Sequence, residues 1–385
     1  MIVLAILTVI GLITIIARFV GGIGYVSNLS TARPWGIWIG IDVASGVALA
    51  AGGFTTAFLA HIVGRHVYEP IVRPALLTAM LGYTFVVLGL LIDIGRSWAI
   101  WKPMVFWNTD SVLFEVAMCV MFYLNVLYIE FIPIVAEQLK GKVNLPGLLS
   151  IFNGILNTFL LWADRLLDKI MWVFVIAGVV LSCMHQSSLG SLMLIAPTKL
   201  HPLWYTPVLP LLFLTSAIAV GYPMVVFETT LVSASLKRDG EMHILSALTR
   251  VTLFLLGIYM ALKLGDMILR GTYVYLLDGT AQTNSFLVEV VVGVIVPWFM
   301  LLSKKVHSSR GGLFSACTMI VFGVLLNRIN VFVVGYRPPI SASRYFPAIG
   351  EILVTVGLIS ALMLIYRFLV TYLPVLSGPG EEAAS

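Results

Sequence analysis

Charge is what this chain has least of: Asp, Glu, Lys and Arg make up 11% of its 385 residues, against 60% hydrophobic. That leaves too little polar surface to cover a soluble globule of this size. Cysteine is almost as sparse. Cys119, Cys183 and Cys317 stand far apart with no close pair, so the chain encodes neither an iron–sulfur cluster nor a structural zinc site. An embedded b-type haem needs two histidines at similar depth, and only His61 and His185 fall inside apolar runs, toward opposite ends. No haem and no metal are therefore expected. There is no glycine-rich phosphate loop at a strand-to-helix junction and no basic patch interleaved with aromatics, which argues against nucleotide chemistry and nucleic-acid binding. Nor does any Pro/Ser-rich linker or charge run divide the chain. Residues 1–385 are read as one membrane domain.

Long apolar runs fill the space instead. A spanning helix needs about 20 apolar residues, and ten segments qualify: Ile2 to Val20, Trp35 to Ile62, Ala75 to Trp98, Ser111 to Val135, Ile170 to Leu194, Val208 to Leu231, Leu245 to Leu264, Asn284 to Leu302, Leu313 to Val334 and Gly350 to Tyr372. The fold class is an all-α polytopic membrane protein. The first run has no basic residues before it and no small-residue cleavage site after it, so it reads as a retained helix rather than a signal peptide. Trp35, Trp38, Trp98, Trp101, Trp107 and Trp204 fall at span ends, where aromatic belts belong. Lys and Arg are more numerous on the side of the termini, clustered at loop tips such as Lys237, Arg238, Lys304 and Lys305. Both termini are therefore placed in the cytoplasm, in a multi-pass protein of the cytoplasmic (inner) membrane. Leu145 to Trp162 is also apolar, but Ser150, Asn153, Asn157, Asp164 and Asp168 form one polar stripe. It is expected to lie as an amphipathic helix at the cytoplasmic interface.

The chain repeats itself. Asp93 and Arg96 end the third span and the fourth opens Ser111-Val-Leu-Phe-Glu115; Asp266 and Arg270 end the seventh and the eighth opens Ser285-Phe-Leu-Val-Glu289. The offset is 174 residues between Ser111 and Ser285 and again between Glu115 and Glu289. Four helices separate the copies, so both share one orientation. This predicts two four-helix bundles, residues 35–194 and 208–334, with residues 2–20 and 350–372 as peripheral helices.

Ionisable groups inside spans are costly, and their default reading is functional. Asp42, Asp93, Arg96, Glu115 and His185, with Gln186 and Ser187, converge on the non-cytoplasmic side of the first bundle, and Trp98 supplies a stacking surface there. Carboxylates and a histidine exchange protons, and amide and hydroxyl groups bind carbonyls. These are the partners a quinone headgroup needs. Each also has a plain structural role open to it: a helix-end ion pair for Asp93 and Arg96, a cap for Glu115, a buried hydrogen bond for Asp42 or His185. Glu130, Glu228 and His61, toward the cytoplasmic ends, are expected to snorkel. A secondary transporter or a purely structural anchor stands as the alternative, although neither half shows paired broken helices. In the second half Arg328 takes the place of a histidine, and a guanidinium does not accept a proton at working pH. That copy is expected to be structural or to dock a partner.

Arg33 to Asp42 (RPWGIWIGID), Val72 to Leu77 (VRPALL), Ile92 to Trp98 (IDIGRSW), Ser111 to Glu115, Met184 to Leu192 (MHQSSLGSL), His201 to Trp204, and Tyr345, Phe346, Pro347 and Glu351 together resemble the NrfD-like family. Within it the chain looks like the HybB-type subunits of hydrogenase-2 and their counterparts in the high-molecular-weight cytochrome complexes of sulfate reducers. The resemblance implies a menaquinone-reactive anchor without a prosthetic group of its own, bound to an extracytoplasmic ferredoxin-like iron–sulfur subunit and to hydrogenase or multihaem cytochrome c subunits. On it Asp93, Arg96, Trp98, Glu115, His185, Gln186 and Ser187 lie at the quinone site, and Asp42, Glu115 and His185 transfer protons.

Overall fold

The computed structural model of the chain describes residues 1–139, 150, 153–195, 197–236, 242–338 and 345–376. Among these, ten helices are long and apolar enough to cross a bilayer: α1 (Ile2–Gly21), α2 (Trp38–Ile62), α3 (His66–Asp93), α4 (Val112–Leu139), α5 (Asn153–Leu192), α6 (Leu209–Ser235), α7 (Met242–Leu269), α8 (Ala281–Leu302), α9 (Arg310–Val334) and α10 (Ile349–Tyr372). They are the ten spans read from hydropathy. An even number of crossings puts both termini on one face, the terminal face. The loops before α2, α4, α6, α8 and α10 share the opposite, far face.

α2 packs on α3, α3 on α4, α4 on α5, and α5 back on α2; α6, α7, α8 and α9 close a second ring in the same way. The rings meet where α2 touches α6 and α9 and where α5 touches α6. This seam is close because it is lined by small residues. A Cβ on Gly52 would sit 3.1 Å from the Gly221 carbonyl oxygen, and one on Gly221 would sit 2.5 Å from Thr55 Oγ1. α1 pairs with α10 outside the rings, and the contact is again glycine on glycine, since a Cβ on Gly11 would lie 2.6 Å from the Gly357 Cα. Buried fractions follow this plan: 67% of the apolar windows of α2 and α6 is buried, against 11% for α1. Central helices are apolar all round because protein surrounds them; α1 is apolar because lipid does.

Three helices loosen into π turns, at Trp38–Ser45 and Phe58–Ile62 in α2, Val291–Ile295 in α8 and Asn330–Val334 in α9. Such wide turns free backbone groups and recur at functional sites. The first contains Asp42, the third starts two residues after Glu289 and the last begins at Asn330. In α2 the freed Gly40 carbonyl accepts the Ser45 hydroxyl at 2.7 Å.

One expectation is corrected. Of Leu145 to Trp162, residues 145–149, 151 and 152 lie outside the described set, but 153–162 is no separate interfacial helix: it is the first part of the unbroken 40-residue α5. The polar stripe was real. Yet no glycine, proline or cap interrupts the run into the span, so the helix continues.

Candidate functional site

On the far face the ionisable residues of the first bundle fall into two groups. One lies where α1, α2, α3 and α10 meet. Asp42 Oδ2 accepts the Thr355 hydroxyl of α10 at 2.7 Å, and Gly89 makes room for it, since a Cβ there would be 3.1 Å from the Asp42 Cβ. Asp93 ends α3 with its buried Oδ1 unbonded among the described residues. It makes no ion pair with Arg96. Its electrostatic neighbours are Glu351 and Arg18. Arg18, buried on α1, donates to the Ile92 and Ile94 carbonyls at 2.7 and 2.5 Å, placing a cation where a helix C-terminus wants one. Fully buried Glu351 sews the group together: its carboxylate accepts the backbone N–H groups of Asn28 at 2.9 Å and Ala348 at 3.1 Å and the Tyr345 hydroxyl. Its carbonyl accepts Trp38 Nε1 at 3.1 Å. Motif reading had named Tyr345 and Glu351 only within the resemblance, and Arg18 not at all; a lone arginine in an otherwise apolar helix was the available signal.

The second group is layered between α3, α4 and α5. Arg96 and Trp98 sit in a short turned loop, Trp98 74% exposed, and Glu115 is exposed at the start of α4. On this side Ser188 of α5 donates to Glu115 Oε1 at 2.6 Å. One helical turn deeper on the same face of α5 is His185, 1% exposed, its Nδ1 3.2 Å from the Tyr83 hydroxyl. Tyr83 stands edge-on to Tyr123 with ring centroids 4.5 Å apart. Gln186 donates to the Val47 carbonyl of α2 at 2.9 Å. Three fully buried atoms here, Tyr123 Oη, Ser182 Oγ and Gln186 Oε1, have no hydrogen-bond partner among the described residues. Ser187 is only half-buried, and it is Ser188, three residues from His185, that reaches the carboxylate. Helical spacing could have selected it. The structure thus brings Glu115 and His185 into one file, ties Gln186 to α2 instead, leaves Arg96 and Trp98 exposed in the loop after α3, and sets Asp42 and Asp93 in the neighbouring group.

In the second bundle the corresponding acid is locked in. Glu289 pairs with Lys263 of α7 and accepts Asn327 Nδ2 at 2.8 Å, Asn330 Nδ2 at 2.7 Å and Trp204 Nε1 at 3.0 Å. Arg328, fully buried, donates to Asn327, Ser216 and the Phe213 carbonyl, with its guanidinium 3.7 Å from the Phe213 ring centre. Asp266 and Arg270 form the helix-end ion pair that Asp93 and Arg96 do not, at 2.8 Å. A small cavity of about 20 Å³ lies between Trp204, Tyr259, Lys263, Asp266, Arg270 and Asn327, room for one water. Trp38 and Trp204, expected in the aromatic belt, are instead buried, because each indole N–H has an interior oxygen to meet.

Toward the terminal face, Glu228 does not snorkel to solvent as expected: it accepts the Thr78 hydroxyl at 2.5 Å. Glu130 lies against Gly178, and His61 is exposed. Outside the spans, burial first and Arg337 second push the His201 imidazole down to about 4, leaving it neutral between Trp204 and Tyr275.

Comparison with known proteins places these features. The family profile described as "Polysulphide reductase, NrfD" matches residues 26–339. A Nitratidesulfovibrio vulgaris protein is 38% identical over 97% of this chain and 94% of its own length. The "Probable Ni/Fe-hydrogenase 2 b-type cytochrome subunit" of Escherichia coli is 34% identical over 96% of this chain and 90% of its own. The "Menaquinone reductase, integral membrane subunit" of N. vulgaris is 24% identical over 94% and 87%. Carrying the family profile over most of its length, with the ten spans and the motifs around Asp42, Asp93, Glu115 and His185, the chain is a member of the NrfD family, an integral subunit of the membrane arm of oxidoreductase complexes.

Proposed function

We propose that this chain is the quinone-reactive membrane subunit of a respiratory oxidoreductase, exchanging electrons between menaquinone or menaquinol and an iron–sulfur partner of ferredoxin type bound at the far face. The terminal face is cytoplasmic, by its excess of Lys and Arg, so the partner, with hydrogenase or multihaem cytochrome c subunits beyond it, is extracytoplasmic. The observation that carries the reading is the layered file Glu115–Ser188–His185–Tyr83, which runs from the exposed Glu115 carboxylate into the bundle, with Arg96 and Trp98 exposed in the loop that leads from α3 toward α4. A headgroup bound on this side meets a carboxylate, a hydroxyl and a guanidinium. Oxidation of one quinol releases two electrons to the partner and two protons. Glu115 takes a proton at the surface and His185 receives it below, with Tyr83 and the unpartnered oxygens of Tyr123, Ser182 and Gln186 as the next stations. Asp42 and Asp93 form a second proton-handling pair one helix away. The relatives, named as a hydrogenase subunit and a menaquinone reductase subunit, support the same reading.

The E. coli relative is called a b-type cytochrome subunit, so the fit of a haem matters. His185 lies seven residues from the far-face end of α5 and faces Tyr83, while His61 is in the last turn of α2 at the terminal face. These two imidazoles cannot bracket one porphyrin, and no step is assigned to haem. Nor does a transporter gain support: the irregularity of α2 at Ala50 and Ala51 is not repeated in its counterpart α6, which is one continuous helix.

The test is quinol-linked turnover of the purified complex. His185→Ala is expected to lower it by about a hundredfold or more, the usual scale for a lost proton-transfer group, with the complex still assembled, while Glu130→Gln has a far smaller effect. Normal turnover in His185→Ala removes the file from the mechanism. A Soret band stoichiometric with the chain would overturn the haem-free assignment.

A further inference from the structure

The motif Val72 to Leu77 has no part in the file or in the acid pair, yet its arginine ties three elements together at the terminal face. Arg73 of α3 pairs through Nη2 with Glu137 of α4 at 2.8 Å, and its Nη1 donates to the Pro374 carbonyl at 3.0 Å. Pro374 follows α10. That helix stops at Tyr372, Leu373 is extended (φ −113°, ψ 151°), and the Val375 N–H bonds back to the Leu373 carbonyl at 2.8 Å. The chain therefore turns off the end of α10 toward the α3–α4 corner, and the guanidinium fastens it there.

A segment that leaves a helix at the membrane surface has water at hand. Val375 nevertheless is fully buried, in the apolar cluster that holds Leu77 and Met80 of α3 and Phe131 and Ile134 of α4. An apolar side chain thus occupies the cytoplasmic end of the first ring, held by the bonded carbonyl of the residue before it.

Beneath it runs a polar line. Tyr123, Glu130 and Glu137 recur every seven residues of α4, so they share one side of the helix at intervals of about 10.5 Å. Tyr123 stands at the inner end of the file, with Tyr83 and Glu130 as electrostatic neighbours, and its buried hydroxyl lacks a partner among the described residues. Glu137 is half-exposed at the terminal face. Hydrogen bonds reach only about 3 Å, so protons pass along this line only where water fills its intervals. The dryness of the α3–α4 corner decides whether the file meets the cytoplasm.

We propose that residues 373–376, clasped by Arg73, seal the cytoplasmic end of the proton file in the resting subunit. The inference rests on the reading of Glu115–Ser188–His185–Tyr83 as that file. A file open to water at both ends would let protons run down the membrane potential with no quinone turning over. With Val375 in place the inner end is dry, and a proton crosses on that side only while the strap is lifted.

The test is the passive proton permeability of the intact complex in sealed lipid vesicles, without quinol or any electron donor. Entrapped pyranine reads proton movement after valinomycin sets a potassium diffusion potential. Val375→Gly and Arg73→Gln are expected to speed it severalfold over the parent complex, while Val375→Ile stays as tight as the parent. Adding His185→Ala to Val375→Gly is expected to restore tightness, because the leak runs through the file. Native mass spectrometry checks that each complex is whole. The seal is overturned if Val375→Gly and Arg73→Gln are both as tight as the parent, or if the leak persists with His185→Ala. Loss of quinol-linked turnover in His185→Ala with no leak in either strap variant overturns the seal and leaves the file standing; normal turnover in His185→Ala removes the file itself.

Discussion

The two bundles carry the same sequence signature, an Asp and an Arg at a helix end followed by Ser-x-Leu-x-Glu, and use it in opposite ways. Glu289 is 1% exposed and accepts from lysine, two asparagines and a tryptophan. Glu115 is exposed and has one serine. The offset of 174 residues shows where the difference originates, for it sets Lys263 at the place of Gly89 and Ser216 at that of Asp42. In the first bundle a glycine lets an acid approach α3; in the second a lysine leaves the matching helix and neutralises the acid opposite. An intramembrane carboxylate is thus no function by itself. What decides is whether its neighbours satisfy it completely, which fixes it, or leave atoms unpaired, as at Asp93 and Gln186, which keeps it available.

The comparison can be broken most directly by removing each glutamate in turn. Glu289→Ala strands Lys263 without its carboxylate, and losing one member of a buried pair typically costs about 3–5 kcal/mol. The chain is expected to be largely missing from the detergent-extracted complex, or to melt far earlier when heated and followed by size exclusion. Glu115→Ala should stay within about 0.5 kcal/mol of the parent in stability, its loss appearing in turnover instead. Equal instability in both would mean that the halves do not differ in kind.

Arg18→Met comes next. It deletes two hydrogen bonds from a charged donor to the end of α3 but strands no partner of a buried ion pair, so it should lower the same melting temperature less than Glu289→Ala does. No change at all would show that α1 is a bystander to the acid pair.

The smallest effect concerns His201. Its folded value of about 4 lies below the ordinary 6.5, so the unfolded chain binds the proton first. Stability is full above about pH 6.5 and declines as pH falls from there toward 4. His201→Gln should flatten that part of the melting-temperature profile, and an unchanged slope would assign the acid sensitivity elsewhere.

The ten spans and the repeat were legible because each rests on local composition, apolar length for the helices and identical residues at one offset for the copies; span ends were not, since α3 begins at His66 rather than Ala75 and α5 at Asn153 rather than Ile170. The partition of the polar residues was not. Asp42 and Asp93 belong with α1 and α10 through Arg18, Glu351 and Thr355, contacts that cross most of the chain and leave no periodic trace. Ser188 could have been chosen over Ser187 by helical spacing. The inward turn of Trp38 and Trp204 could not, since a tryptophan at a span end looks the same whether its N–H meets a headgroup or a buried oxygen. The continuity of α5 was hidden by its own polar stripe, which suits an interfacial helix and a projecting one equally.

The bonds of Glu351 to Asn28 and of Thr355 to Asp42 join residues 323 and 313 positions apart. At about 5–20 residues per second, a ribosome takes roughly 15–60 s to travel from one end of that contact to the other. For all that time α1 and α2 are already made, while the helix that satisfies Asp42 and fixes Asp93 has not yet left the ribosome. The acids of the far face are therefore finished last, by the final span to enter the membrane. A nascent chain that stalls before Ile349 has both of its rings but lacks Thr355, which bonds Asp42, and Glu351, which borders Asp93.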